Sequence, residues 1–368
     1  MGFTNAVGRR VAAAMAIAAV AAAAPAAARD LTYASPIPAA HVNHTAGLTP
    51  FFDRLREATD GSLDYELFVG GSMGGAKEML KVVSDYVADS AQITPVYVKS
   101  DIPLSAALTS MMVLADDPKV FAAAFNDTML VGCDACREEY TRNNIEPLAW
   151  YSTGIYYLMC TSPVTSVEDV AGKKIRATSR MGELVQSWGA TPVSITTSEM
   201  YEALQRGQAD CTVGSASWLN DYNLKDVIRS VLDAPLGAYM GSQIFNMNAD
   251  VWSDLSEEER AAIYENLPGL VADVVFANVE ESDAALQTTG VEIAPGSEAL
   301  MASLEEERAS EYDKAIADGE ASGVEAMEDV AATMRENVDK WRAIVAEVGD
   351  DKEAYRQALW DEIYSKLD

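Results

Sequence analysis

Residues 172–210 have the sequence GKKIRATSRMGELVQSWGATPVSITTSEMYEALQRGQAD, and this stretch decides the predicted fold. Short apolar runs alternate in it with helical patterns that end at glycines, which indicates strands and helices in alternation. The second helix also has a start signal, because Thr196 and Glu199 are spaced as in a capping box. The predicted elements are a strand over 173–177, a helix over 181–188, an extended segment over 192–195 and a helix from Thr196 to Gly207.

The same stretch carries a spaced series of residues, namely Gly172, Lys174, Ile175, Arg176, Gly189, Ala190, Pro192, Glu199, Tyr201, Ala203, Leu204, Gln205, Gly207 and Asp210. This series resembles the signature of the substrate-binding proteins of TRAP transporters, the tripartite ATP-independent periplasmic transporters, of the C4-dicarboxylate-binding type. In that family the arginine of the series binds the carboxylate of the ligand. The resemblance therefore implies that Arg176 binds a small organic anion, and that TRAP membrane permease subunits are the partner.

The rest of the chain also alternates strands with helices, which predicts an α/β fold with mainly parallel sheets flanked by helices. About 340 residues follow the first 28, which suggests two domains. The resemblance implies the two-lobed, hinged fold of a periplasmic binding protein, with a long lobe-spanning helix and a helical C-terminus. Lobe one is expected over 29–153 plus 242–285, and lobe two, with the C-terminal helices, over 154–241 plus 286–368.

The first 28 residues predict export. Arg9 and Arg10 precede an apolar run over 11–24, and the small residues over 26–28 form a cleavage site. This is the pattern of a secretory signal peptide cleaved near Ala28, so the mature protein is expected in the periplasm. The apolar run is shorter than the roughly 20 residues that a membrane-spanning helix needs, and no later stretch is long and apolar enough.

The chain is strongly acidic. It has 57 acidic against 27 basic residues and a formal net charge of −30, and removal of residues 1–28 takes away two more positive charges. Repulsion from phosphates argues against nucleic acid as a partner. Because salt screens exposed charges over about 8 Å, remote surface acids matter little to an anion that lies in a cleft beside a buried arginine.

Two further motifs contain the residue types of a cofactor or metal site. A glycine-rich loop over 70–75 precedes a predicted helix, but Ala76 and Lys77 follow Gly75 where a phosphate-binding loop has Lys and then Ser or Thr, so no nucleotide cofactor is expected. His41 and His44 are spaced by three, but no third ligand has a suitable spacing, so no metal is expected. The resemblance places the loop that carries both histidines near the cleft.

The four cysteines leave their pairing open. An exported chain meets an oxidising compartment in which disulfides form. Cys160 and Cys211 both fall on predicted strands of lobe two and can face each other. Cys133 and Cys136 are spaced like a redox motif, but the sequence around them has no thioredoxin-like pattern.

No catalytic constellation is visible in the sequence. Neither histidine lies in the setting that a serine triad requires, and no pair of carboxylates is marked by its spacing. A binding protein without enzymatic activity is therefore expected. A periplasmic ligand sensor for a signalling partner and an exported hydrolase remain as alternatives.

Departures from the family pattern bear on the ligand. Tyr156 stands where many members that bind sugar acids have a second arginine, and Gly214 replaces an asparagine of the family. One fixed positive charge with several aromatic residues favours an aromatic monocarboxylate over a C4-dicarboxylate or a sugar acid. The expected ligand-binding residues are Arg176, Tyr156, Pro36, Met73, Thr94, Thr197, Gly214, Ser215, Trp218 and Tyr239.

Overall fold

The computed structural model describes residues 1–2 and 29–367, so the predicted signal peptide lies, from residue 3 onward, outside the described residues. Strands and helices alternate through most of the described chain, as the sequence predicts. The strands are β1 (Arg29–Ala34), β2 (Leu63–Phe68), β3 (Ser90–Ala91), β4 (Ile145–Ser152), β5 (Tyr156–Cys160), β6 (Lys174–Arg176), β7 (Thr191–Val193), β8 (Cys211–Ser215), β9 (Ser230–Asp233), β10 (Met240–Asn248) and β11 (Glu292–Pro295).

These strands form two lobe sheets and a connecting pair. In lobe one, β1 lies between β2 and β3 and is parallel to both. In lobe two the order is β11-β9-β5-β8-β6-β7, where β5 is antiparallel to its neighbours and the other pairs are parallel. Strands β4 and β10 form a separate antiparallel pair. The predicted α/β class with mainly parallel sheets is confirmed.

Helices surround the sheets and make up most of the C-terminal region. In the described part of the chain, none of them combines the length and the hydropathy needed to cross a membrane. The helices are α1 (Thr49–Ala58), α2 (Met79–Ser84), α3 (Pro103–Ser110), α4 (Pro118–Asp127), α5 (Asp134–Thr141), α6 (Arg180–Ser187), α7 (Met200–Gln205), α8 (Trp218–Asp221), α9 (Ala249–Ser253), α10 (Glu257–Thr288), α11 (Glu298–Ala321), α12 (Met327–Val348) and α13 (Lys352–Glu362).

Buried apolar side chains form two clusters, one in each lobe. The first contains side chains of β1 to β4 and of β10, and the second contains side chains of β5, β6, β8 and β9. The 32-residue helix α10 begins at a capping box made by Ser256 and Glu259. It contributes Leu270 and Val274 to the first cluster and Ala285 to the second, so one helix spans both lobes as expected.

The last two long helices pack on lobe one, which corrects their expected assignment to lobe two. Trp341 of α12 and Tyr355 of α13 are buried in the first cluster. The Trp341 indole N–H donates to Asp127 at the end of α4 at 2.8 Å, and the Tyr355 hydroxyl donates to the Lys119 carbonyl at 2.7 Å. Hydrophobic spacing identifies an apolar helix face but not the lobe on which it packs. Helix α11 contacts both lobes, because Leu304 lies in the second cluster and its later residues lie in the first.

Both cysteine pairs form disulfides in the structure. Cys160 on β5 and Cys211 on β8 are register partners on adjacent antiparallel strands and are bonded to each other. Cys133 and Cys136 form the second bridge at the start of α5. The Cys160–Cys211 disulfide, which the predicted strand positions allowed, is therefore present.

Candidate functional site

A pocket lies between the two lobes, where β1, β3 and β6 reach their carboxyl ends. Pro36 and His41 follow β1, Gln92 and Thr94 follow β3, and Arg176 ends β6. Ligands of α/β proteins lie at this edge of the sheet. The pocket is lined by Pro36, Ile37, His41, Ala76, Gln92, Thr94, Val96, Tyr97, Tyr151, Thr153, Tyr156, Arg176, Thr178, Thr197, Trp218, Tyr222, Tyr239 and Ser242.

Seven of the ten expected site residues line this pocket, namely Arg176, Tyr156, Pro36, Thr94, Thr197, Trp218 and Tyr239. Met73, Gly214 and Ser215 do not. Met73 is half-buried and packs against the core of lobe one, because its loop turns that side chain toward the core. Ser215 is buried behind the pocket, where its hydroxyl lies 3.1 Å from the Ser217 hydroxyl.

Gly214 shapes the pocket through its neighbour Trp218. A Cβ atom on Gly214 would lie 2.0 Å from Cζ3 of the indole, far inside van der Waals contact. The missing side chain therefore lets the indole lie against the backbone of β8. The asparagine that the family has here would have to displace Trp218, so the glycine and the aromatic wall belong together.

Arg176 is the one arginine or lysine among the lining residues, and its side chain is buried. Its Nε donates to the Ile195 carbonyl at 2.9 Å, Nη1 to the Val213 carbonyl at 3.3 Å and Nη2 to the Tyr97 hydroxyl at 3.0 Å. No carboxylate of the described residues forms an ion pair with it. A guanidinium has five N–H groups, so one on each terminal nitrogen remains available. A ligand carboxylate can accept both in a bidentate contact.

An aromatic wall lies beside this cation, with Trp218 at its centre. The rings of Tyr156 and Tyr222 meet the indole edge-on, with centroids 5.2 Å and 5.8 Å away. The Arg176 guanidinium carbon lies 5.4 Å from the indole centroid, a cation–π distance. Burial raises the pKa of Tyr156 well above its usual value, so its hydroxyl stays protonated. The wall offers an apolar surface to a ring-shaped ligand.

His41 does not add a second positive charge. Burial, with a smaller contribution from His44, lowers the pKa of His41 to about 3, so the imidazole is neutral. Its Nδ1 accepts the backbone N–H of Asn43 at 3.2 Å, which puts the ring proton on Nε2, 3.7 Å from Oδ2 of Asp221. Burial raises the pKa of Asp221 to about 7. This contact therefore joins a neutral ring to a partly ionised carboxyl group and is not a full ion pair.

Tyr97 connects the lobes across the pocket. It lies in the short 3₁₀ turn Pro95–Tyr97 after β3, on the lobe-one side. Its hydroxyl oxygen accepts from Nη2 of Arg176 at 3.0 Å and from the backbone N–H of Thr197 at 3.3 Å. Within residues 29–367 its own O–H has no acceptor, so the hydroxyl orients Arg176 and keeps one donor for a ligand.

Sequence reasoning missed Gln92, Tyr97 and Tyr151. Gln92 and Tyr97 lie within three residues of Thr94, which was predicted, so the same strand-end rule was sufficient to name them. Tyr151 lies on β4, which pairs with β10 in the antiparallel connection between the lobes. No local pattern marks a residue there as part of a cleft. In the described chain, no cluster of three or more His, Cys, Asp or Glu side chains is placed to hold a metal ion.

Residues 34–318, most of both lobes and all the pocket-lining residues, match the DctP family, described as bacterial extracellular solute-binding protein, family 7. The chain belongs to this family. The resemblance to TRAP substrate-binding proteins is thereby confirmed. The family consists of substrate-binding proteins of transport systems rather than of enzymes.

Solved structures of TRAP solute-binding proteins share the fold. One from Bordetella bronchiseptica, with bound (R)- and (S)-mandelate, has a TM-score of 0.71 and 21% identity, covering 85% of this chain and 99% of that chain. One from a marine metagenome, in complex with 3-hydroxybenzoate, has a TM-score of 0.74 and 18% identity over the same shares, 85% and 99%. The periplasmic ectoine-binding protein of Halomonas elongata has a TM-score of 0.72 and 19% identity, covering 85% and 100%.

Curated sequences match over shorter stretches. The ectoine-binding periplasmic protein TeaA of Halomonas elongata is 22% identical over 195 residues, which is 52% of this chain and 56% of TeaA. The chain spans about half the length of the first curated relatives that it matches. Likeness at these identities establishes the fold and not the ligand.

Proposed function

We propose that this protein is a periplasmic receptor that binds a small organic acid between its lobes and delivers it to a TRAP-type membrane permease. The observation that carries the proposal is the buried guanidinium of Arg176, which faces an interlobe pocket without a carboxylate partner. A buried cation without a counter-ion is costly, and a ligand carboxylate would remove that cost. The pocket thus suits an anion of small size.

An aromatic monocarboxylate fits the pocket better than a dicarboxylate. Arg176 is the one fixed positive charge among the lining residues, because His41 is neutral. A second ligand carboxylate would be buried without a strong partner. Trp218, Tyr156 and Tyr222 supply apolar surface instead. The aromatic acids bound by two of the solved relatives support this class, whereas the ectoine-binding relative shows that the fold also accepts other ligands.

The ligand class is tested by competition calorimetry with benzoates, with succinate and malate, and with uronates. We expect the tightest binding from a benzoate. Tight binding of succinate or of a uronate without any benzoate binding would refute the aromatic class and leave the organic-acid receptor standing. Unchanged ligand after long incubation, checked by mass spectrometry, would separate a receptor from an exported hydrolase.

Delivery to a permease, rather than signalling, is part of the proposal. The family belongs to transport systems, and TeaA is named as part of the TeaABC TRAP transporter. A sensor for a signalling partner would have the same pocket. Reconstitution with TRAP permease subunits should give ligand uptake that depends on this protein, and a pull-down that recovers only a signalling protein would favour the sensor.

Export is proposed from the N-terminal sequence pattern. Arg9 and Arg10, the apolar run over 11–24 and the small residues over 26–28 predict cleavage near Ala28. N-terminal sequencing of the periplasmic fraction should therefore begin near Arg29. A full-length chain that stays in the cytoplasm would contradict this assignment.

Closure of the lobes on the ligand is the proposed mechanism, with Tyr97 as a contact that holds them together. Replacement of Tyr97 by phenylalanine removes the hydroxyl that accepts from Arg176 and Thr197. We expect affinity for the bound acid to fall roughly tenfold or more, since hydrogen bonds to charged groups contribute about 1.5–3 kcal/mol. Calorimetry measures the change, and Tyr86→Phe, on a tyrosine that is 63% exposed, serves as the matched control. Equal affinities for Tyr97→Phe and the wild type would remove Tyr97 from the clamp.

A further inference from the structure

We propose that the ligand carries a hydroxyl group that donates to Oε1 of Gln92, so that the receptor selects hydroxylated acids over their unsubstituted counterparts. The inference rests on the proposed function, in which Arg176 holds the carboxylate. It adds a second recognition point on the lobe-one side of the pocket. The substrate class becomes a hydroxylated, preferentially aromatic, monocarboxylate.

Gln92 has the properties of a ligand contact rather than of a core residue. Its side chain is 3% exposed and lines the pocket. Its Oε1 is buried and has no hydrogen-bond donor among residues 29–367. Buried polar atoms are almost always paired, because a buried acceptor without a donor loses its hydration without compensation. A donor from the ligand would complete this site.

In the hydrogen bonds that Gln92 makes, its amide oxygen is the free end. The backbone N–H of Gln92 donates to the Ala34 carbonyl at 3.0 Å, which anchors the residue at the end of β3. The side-chain Nε2 donates to the Tyr151 hydroxyl at 3.2 Å, so the nitrogen is engaged and the oxygen is left to accept. The nearby hydroxyls of Thr94 and Ser242 lie 3.0 Å apart and are bonded to each other. One of the two donates to the other, and neither forms a hydrogen bond with Oε1 of Gln92.

A neutral hydroxyl suits this oxygen better than an ammonium group. The lining residues include no aspartate or glutamate, and the same pocket holds the Arg176 guanidinium. A buried ammonium would face a neutral amide oxygen and a like charge, and would lose its hydration without an ion pair. A phenol or alcohol O–H donates one hydrogen bond without that cost. The chemistry of the pocket thus points to a hydroxy acid.

The test compares matched acids that differ by one hydroxyl, with binding to the mature protein measured by calorimetry. The aromatic set is benzoate, 3-hydroxybenzoate and 4-hydroxybenzoate, and the aliphatic pair is succinate and malate. We expect the better hydroxybenzoate to bind about ten- to hundredfold more tightly than benzoate. The 3- and 4-methoxybenzoates, which keep the oxygen but lack the donor, should lose this advantage.

A Gln92→Leu variant then assigns the preference to this side chain. Leucine is similar in size and offers no acceptor, so the ratio of the benzoate and hydroxybenzoate dissociation constants, compared within the variant, should fall to about one. Its melting temperature reports folding, and the wild-type comparison stands even if the variant fails to fold. The inference is overturned if the wild type binds benzoate and both hydroxybenzoates with equal affinity. It is also overturned if the methoxybenzoates bind as tightly as the hydroxybenzoates, or if the Gln92→Leu variant keeps the preference for a hydroxyl group.

The aliphatic pair separates this inference from the proposed ligand class. If benzoates do not bind and malate binds more tightly than succinate through Gln92, the aromatic class fails and the hydroxyl contact stands. If succinate binds as tightly as malate and no aromatic acid binds, both fail. Binding by none of these acids also overturns both.

Discussion

Replacing Arg176 with alanine should nearly abolish binding of the acid. The guanidinium has two N–H groups free of described protein partners, and its removal leaves a ligand carboxylate buried without a counter-ion. Breaking a buried pair in this way costs roughly 3–5 kcal/mol. This corresponds to a Kd that rises by about 10² to 10³-fold or more. Isothermal calorimetry on the mature protein measures this change directly.

The loss of binding should be specific to Arg176 and should depend on the planar guanidinium group as well as on its charge. Arg176→Lys should also bind poorly, because a point charge cannot form the bidentate contact that a planar guanidinium forms. Arg206→Ala is the matched control, since Arg206 is 65% exposed and, among the described residues, forms an ion pair with Glu202 at the surface of the same lobe. Its Kd should be unchanged. Wild-type affinity in either Arg176 variant would remove Arg176 from the site.

The melting temperature separates loss of binding from loss of fold. In the ligand-free protein Arg176 is a buried charge without a carboxylate, so its removal should change the melting temperature little. A large fall in stability for Arg176→Ala would mean that its bonds to Ile195 and Val213 hold lobe two together. That outcome would assign Arg176 a structural role in addition to binding.

Removal of the Cys160–Cys211 disulfide should cause a large loss of stability in lobe two. The bridge joins residues that are 51 positions apart in the chain. A loop of that length corresponds to a stabilisation of about 4 kcal/mol in the chain-entropy treatment. Because about 1 kcal/mol shifts the melting temperature by a few degrees in domains of this size, a fall on the order of 10 °C is expected for Cys160→Ala with Cys211→Ala. Thermal unfolding by circular dichroism measures it.

The other disulfide is the matched control. Cys133 and Cys136 are only three positions apart, so the same treatment gives about 2 kcal/mol, half the effect. Alanine at both positions should therefore lower the melting temperature by about half as much. If this control loses as much stability as the lobe-two variant, loop length does not decide the effect.

Much of the fold was predictable because its signals are local. The strand predicted over 173–177 is β6 (Lys174–Arg176), the helix predicted over 181–188 is α6 (Arg180–Ser187), and the capping box of Thr196 and Glu199 is formed. Backbone propensity, glycine stops and capping hydrogen bonds act within a few residues. A single sequence therefore contains them in full.

The candidate site was predictable only where a strand end or a family motif marked it. Arg176 and Thr94 lie at such positions, and both line the pocket. Tyr97 and Gln92 gain their significance from what faces them: Tyr97 meets Arg176 from the other lobe, and Gln92 has an amide oxygen without a described partner. Gly214 was expected in the site and instead makes room for the Trp218 indole.

The sequence by itself determined the alternation of strands and helices, the family, and the position of Arg176 at a strand end that lines the pocket. Only the tertiary structure decided which groups surround that arginine, and that α12 and α13 pack on lobe one through Trp341 and Tyr355. The physical reason is the range of the interactions. Capping, turn formation and hydrophobic periodicity are set by neighbours in the chain, whereas burial and hydrogen bonding between Tyr97 and Arg176, 79 residues apart, arise only when the lobes are brought together.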